Sequence, residues 1–185
     1  MLRINDSRAT RPYSRREYLG RALWGLVAPM FRFSPRQLHG WRSWLLRRFG
    51  AIIGKRVHIY PTVRIVIPWN LEVGDDSSIG DCALIYSLGK VRIGARATIS
   101  HNAHLCAGTH DYLDPALPLL RQPISIGDDA WVCAQSFIGP GVLVANGAVV
   151  GAAAVVMKDV TAWTVVAGNP ARAVKKREMR SVSST

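Results

Sequence analysis

Acidic side chains are scarce in this chain: 12 Asp and Glu stand against 24 Lys and Arg over 185 residues, a net charge of +12. An excess of that size suits a nucleic-acid or membrane partner, yet it is confined to the two ends. Residues 1–50 hold eleven Arg against two acids, residues 51–170 eight bases against nine acids, and residues 171–185 five bases against one acid. The body is neutral and no nucleic-acid motif is present, so no nucleic-acid partner is expected. Cysteine is equally sparse. Cys82, Cys106 and Cys133 are too few and too far apart for a disulfide framework, and no Cys-x-x-Cys pair suggests zinc. A reducing cytoplasm is the expected compartment. Long apolar runs are missing too: Ala22 to Phe31 is broken by Gly25 and Pro29 and bounded by Arg21 and Arg32. That is about half of the roughly 20 residues a spanning helix needs. An Arg-rich polar stretch precedes it and no small-residue cleavage site follows, so it does not read as a signal peptide. With neither a Walker loop nor a Gly-x-Gly-x-x-Gly turn, nucleotide hydrolysis and dinucleotide binding have no support.

What is present begins with helices. Residues 1–17 are polar and expected to be mobile in part. From Tyr18 to Phe33 and from Gln37 to Phe49 the apolar residues recur at helical spacing, and Ser34-Pro35 reads as a start signal for the second helix. Two readings stand for this basic segment, residues 1–50. It packs on the rest of the protein and uses Arg for solubility, or residues 18–49, with Trp24, Trp41 and Trp44, form a surface that rests on an anionic membrane.

From Ile53 onward the period changes to six. Aliphatic residues sit at Ile53, Ile59, Ile65, at Val73, Ile79, Ile85, and at Ile93, Ile99, Leu105. They resume at Ile126, Val132, Ile138 and at Val144, Val150, Val156. Four residues after each of these fifteen positions stands Ala, Ser, Gly, Thr or Val, Trp69 excepted, and seven are followed directly by Gly. A six-residue step fits neither one face of a helix nor one long strand. A chain that makes a short strand, turns and repeats stacks its aliphatic residues in a column and crowds its corners. Three steps close one triangular coil, which gives about five coils over residues 51–170. Between Leu105 and Ile126 lie twenty-one positions where six are required, an insertion of fifteen residues beginning near His110.

The repeat, with Gly-Thr-His-Asp-Tyr-x-Asp-Pro at 108–115 and Trp-Thr-Val-Val-Ala-Gly-Asn-Pro-Ala-Arg at 163–172, resembles the hexapeptide-repeat acetyltransferases, in particular the O-acetyltransferases of colanic-acid-type exopolysaccharide synthesis. The maltose and galactoside acetyltransferases share the outline. The resemblance implies a mainly β fold: a left-handed parallel β-helix with an N-terminal helical segment and a short basic tail, residues 171–185. It further implies acetyl-CoA as co-substrate, a saccharide acceptor on a membrane-linked exopolysaccharide precursor, and a homotrimer with each site between neighbouring β-helices.

Acetyl transfer from a thioester to a hydroxyl needs a base, oxyanion donors and a groove for a long coenzyme. His110 is the candidate base, since an imidazole titrates near the working pH and stands where the repeat breaks. Asp111 would orient the imidazole, bind the acceptor or simply shape the loop, and Tyr112 opens a stiff loop (111–125) that would wall the acceptor pocket. The family asparagine that places the acceptor has no clear counterpart, and Asp81 and Ser87 are the nearest polar candidates. By resemblance Trp131 lines the coenzyme groove, although packing at a coil corner is its plainer explanation. Ala134 and Ala152 or Ala153 would admit the pantetheine arm to backbone amides, while Lys158, Arg172 and Lys175 would meet phosphates. Cys133 has no charged sequence neighbour to activate it and reads as a small apolar residue. Two other classes remain open: a γ-type carbonic anhydrase using the cluster His101, His104 and His110 at a spacing unlike that family's, and a non-catalytic module binding through its basic ends.

Overall fold

A six-residue step obliges the chain to return over itself at the same place in every turn. The computed structural model, which describes residues 13–179, realises this as a three-sided parallel β-helix. The first side stacks β1 (Ile52–Ile53), β4 (Leu71–Val73), β7 (Val91–Ile93), β12 (Ile124–Ile126) and β15 (Leu143–Val144). The second stacks β2 (His58–Ile59), β5 (Ser78–Ile79), β8 (Thr98–Ile99), β13 (Trp131–Val132), β16 (Val149–Val150) and β18 (Thr164–Ala167). The third stacks β3 (Arg64–Ile65), β6 (Leu84–Tyr86), β9 (His104–Cys106), β14 (Phe137–Ile138) and β17 (Val155–Val156). Five complete coils result, with β18 opening a sixth, and β19 (Arg172–Lys176) folds back antiparallel on β18.

All fifteen step positions point inward and none is more than 6% exposed. Burying each such side chain contributes about 1.5–3 kcal/mol, so this column is the main source of stability. At the edge joining sides one and two the coils approach too closely for any side chain. A Cβ added to Gly74 would lie 2.7 Å from the carbonyl carbon of Gly94, and one added to Gly94 equally close to that of Gly127. Trp69, the exception to the small-residue rule, sits in a 3-10 turn (Pro68–Asn70) outside the coil, where its ring lies over Gly20.

Two helices close the lower end. Helix α1 (Arg15–Arg32) starts three residues before the spacing suggests, because Ser14 and Glu17 form a reciprocal capping box. Helix α2 (His39–Arg48) follows, and Ser34-Pro35 does not start it. The Ser34 hydroxyl instead donates to the Phe31 carbonyl at 2.7 Å, at the end of α1. Trp24, Phe31, Leu45 and Leu46 join the same core as the coils. Of residues 1–17, expected to be mobile in part, Arg15 to Glu17 form the first turn of α1 behind the Ser14 cap, and residues 1–12 lie outside the described residues.

Polar contacts fix the cap. The Trp24 indole donates to the Ile65 carbonyl at 2.8 Å, and the Arg47 guanidinium to those of Ile53 and Gly54. Arg42 is fully buried without a carboxylate. Its five N–H donors meet Ile59 O (2.6 Å), Ser34 Oγ (2.8 Å), Pro35 O (2.8 Å), Arg36 O (2.6 Å) and His39 Nδ1 (3.1 Å).

Candidate active site

The insertion leaves the prism where side three turns into side one. There β10 (Thr109–His110) pairs antiparallel with β11 (Leu119–Leu120), with His110 opposite Leu119. Two carboxylates shape the tip. Asp111 accepts from the Leu113 N–H at 3.0 Å and Asp114 from the Ala116 N–H at 2.8 Å, the local bonding expected of Asp in turns. The turn carries Leu117 at φ 48°, a left-handed conformation that costs a branched side chain roughly 1–2 kcal/mol.

That strained residue turns its carbonyl oxygen to within 2.6 Å of His110 Nδ1. A carbonyl only accepts, so Nδ1 is the donor, and in the neutral imidazole the lone pair is on Nε2. His110 is exposed, and Tyr112 stands at the loop tip, 83% exposed. The imidazole is therefore oriented by a backbone carbonyl, whereas the Asp111 side chain bonds within the loop.

The remaining candidates separate. Ser87 lies one coil below on the same edge but is fully buried, its hydroxyl bridging the N–H and C=O of Ile67. No acceptor can reach it, which corrects its expected role. Asp81 occupies the other edge, between sides two and three, where it accepts from Thr62 at 2.9 Å and Arg36 at 3.0 Å. Ala134 and Ala152 lie on that same edge in successive coils, Ala153 N–H donating to Ala134 O at 2.9 Å. Trp131 projects from side two, 45% exposed, and its Nε1 donates to Ser100 Oγ at 2.9 Å. The ring is thus half exposed and half held against the coil.

At the upper end Lys158 and Arg172 line one groove of about 580 Å³ with Met157, Asp159 and Pro170. Lys175 lines a different, shallower one of about 310 Å³ with Thr161 and Thr164. His110 and Lys158 thus belong to one edge of the prism; Asp81, Ala134 and Ala152 belong to another. One side lies between them, a span of roughly 15–20 Å for a strand and its turns at about 3.3 Å per residue.

The other reactive side chains are quiet. Burial pushes the Cys133 thiol up, away from a nucleophilic thiolate. His101, His104 and His110 fall at successive places along one coil without converging, and among the described residues no three His, Cys, Asp or Glu are grouped as metal ligands. His104 is wedged edge-on between Tyr86 and Phe137, and desolvation lowers its pKa. Among the described residues no helix is long and apolar enough to cross a membrane.

Three contributors escape a reading of the sequence. The Leu117 carbonyl is one, since Asp-Pro at 114–115 signals a turn but not where its third carbonyl points. Ser100 is another. The third is an ion pair between Arg121, just after β11, and Glu17 of α1 at 2.8 Å, two residues 104 positions apart. The Ser14-x-x-Glu17 capping signal is local and readable, but the long-range partner of Glu17 is not.

The fold and this loop define a hexapeptide-repeat β-helix of the acyl-transferring kind. No family model matches the chain. It is 42% identical over 154 residues to a protein of Escherichia coli strain K12 named "Putative colanic acid biosynthesis acetyltransferase WcaF", a match covering 83% of this chain and 85% of that one. A galactoside acetyltransferase in complex with coenzyme A superposes with a TM-score of 0.83 at 23% identity, over 95% of this chain and 90% of the other. A maltose O-acetyltransferase from Clostridium difficile 630 does so at 0.81 and 23% identity, over 97% and 99%. The chain belongs to the hexapeptide-repeat acetyltransferase family, on the branch of the colanic acid biosynthesis acetyltransferases.

Proposed function

We propose that the protein transfers the acetyl group of acetyl-CoA to a saccharide hydroxyl during exopolysaccharide synthesis, in one step with both substrates bound. The observation that carries this reading is His110, with Nδ1 as donor to Leu117 O and, in the neutral imidazole, its lone pair on Nε2. Nε2 takes the acceptor hydroxyl proton as the oxygen attacks the thioester carbonyl. A C–O bond forms and the C–S bond breaks; the imidazolium returns its proton to the departing thiolate. Cys133, held as a thiol, gives no support to a covalent intermediate.

In this reading Trp131 flanks the pantetheine arm, the small edge at Ala134 and Ala152 admits the thioester to backbone amides, and Lys158 and Arg172 receive phosphates. Lys175, in the neighbouring groove, is a weaker candidate for that role. Asp81 and Tyr112 are the acceptor contacts left, with Asp111 contributing through the loop it shapes. Because base and coenzyme edge stand a full side apart, a neighbouring copy must bring its coenzyme edge to His110, which favours a homotrimer. Of the segment 1–50 the described residues form a cap, 51–170 with loop 111–125 form the catalytic unit, and of the basic segment 171–185 the described residues run beside the phosphate groove, with β19 paired to β18. The expected location is the cytoplasm, in peripheral contact with the inner face of its membrane through residues 18–49.

Release of coenzyme A thiol from acetyl-CoA, followed against a panel of oligosaccharides, tests the activity. Saturable release that depends on the saccharide is expected. Release indifferent to any acceptor would overturn the assignment.

A further inference from the structure

Helix α1 is apolar on two opposite faces. One face buries Trp24 and Phe31 against the coils. The other presents Leu19, Leu23, Leu26, Met30 and Phe33, with exposures from 47% at Leu23 to 82% at Phe33. At about 100° per residue these five fall within about 40° of a common line, a continuous stripe along the helix. A stripe of this length left uncovered marks an interaction surface.

The charges around it select the occupant. Arg15 and Arg16 flank the stripe at its start, both exposed. The single acid of α1, Glu17, is turned away onto Arg121. Residues 1–50 carry eleven Arg against two acids, so two such segments repel each other and the neutral body of another copy offers no compensating charge. An anionic lipid surface offers both an apolar layer and negative headgroups.

We propose that the exposed stripe of α1 is a bilayer-docking surface for anionic lipids. The apolar side chains enter the headgroup boundary while Arg15 and Arg16 meet phosphates. The same helix grips the catalytic loop through Glu17 and Arg121, and β11 in turn is paired with the strand that bears His110. Docking by α1 therefore sets the His110 loop at a fixed disposition to the lipid surface. This deepens the membrane contact proposed above and rests on that reading.

Cosedimentation of the full chain with vesicles of phosphatidylglycerol and phosphatidylcholine, against phosphatidylcholine alone, tests it. Wild-type protein is expected to bind only the anionic vesicles and to be released by salt. A double variant, Leu23→Glu with Leu26→Glu, should bind at least about tenfold less, with unchanged circular dichroism, assembly mass and turnover of acetyl-CoA with a soluble acceptor. Failure of the wild type to bind, undiminished binding by the variant, or a change in its assembly mass would overturn the proposal, the last by assigning the stripe to a second copy. Vesicle binding and turnover are separate readouts. Binding without turnover would sink the enzymatic reading alone, and turnover without binding would sink the docking surface alone.

Discussion

Replacement of His110 by alanine is expected to lower kcat for acetyl transfer about 10²–10⁴-fold, the usual contribution of a positioned general base. The expectation rests on the exposed imidazole whose tautomer is set by Leu117 O at 2.6 Å. KM for acetyl-CoA should change little, because Trp131, Ala134 and Ala152 lie a full side away on the same chain, and Lys158, though on the His110 edge, stands two coils above it. The thermal midpoint should also hold, since an exposed side chain contributes little packing. Steady-state release of coenzyme A thiol checks the first two points. Near-normal turnover in the variant would remove His110 from the chemistry.

The second large effect concerns folding. Arg42→Met roughly keeps the volume of the side chain but removes its five donors: Arg36 O loses its donor outright, while Pro35 O keeps the Leu38 N–H at 3.0 Å and Ile59 O keeps His39 Nδ1 within 3.1 Å. The orphaned acceptor costs about 1–3 kcal/mol and each of the other lost bonds about 0.5–1.5 kcal/mol, so with some water entry the total should be about 2–4 kcal/mol. The arginine's own desolvation, which lowers its pKa, offsets part of what it contributes and keeps the figure from being larger. A denaturant titration at fixed protein concentration measures this. An unshifted midpoint would mean that the cap is held without Arg42, by Trp24, Arg47 and the apolar contacts.

Most of the fold is legible because it is a repetition. One aliphatic residue every six positions leaves few alternatives, and all fifteen of those residues lie inside. The coil count of about five agrees with five complete turns and the opening of a sixth. Where the chain does not repeat, local signals compete. Ser34-Pro35 looks like a helix start but serves the end of α1 and receives Arg42, because the connector must satisfy a buried guanidinium.

The site is legible in its parts and less so in their arrangement. His110 stands out as the residue where the period fails. Ser87 looks like an equally good polar candidate, yet sequence spacing cannot tell an outward hydroxyl from one turned into the core to bridge Ile67. Lys158, Arg172 and Lys175 look alike as cations near the end of the coils. Only the antiparallel return of β19 puts Arg172 into the groove with Lys158 and Lys175 into the next one. The contact of Glu17 with Arg121 has no sequence signature, since nothing local to either residue records a partner 104 positions away.

If one active site takes its base from one chain and its coenzyme edge from a neighbour, two inactive variants should complement each other when coexpressed. The pair that tests this most directly is His110→Ala, which spoils the first edge, and Ala134→Trp, which blocks the second. In mixed trimers some sites combine an intact His110 with an intact coenzyme edge. For equal random mixing, activity should return to about a quarter of the wild-type level. Mixed assemblies as inactive as either variant alone would contradict this, because each site would then lie within a single chain.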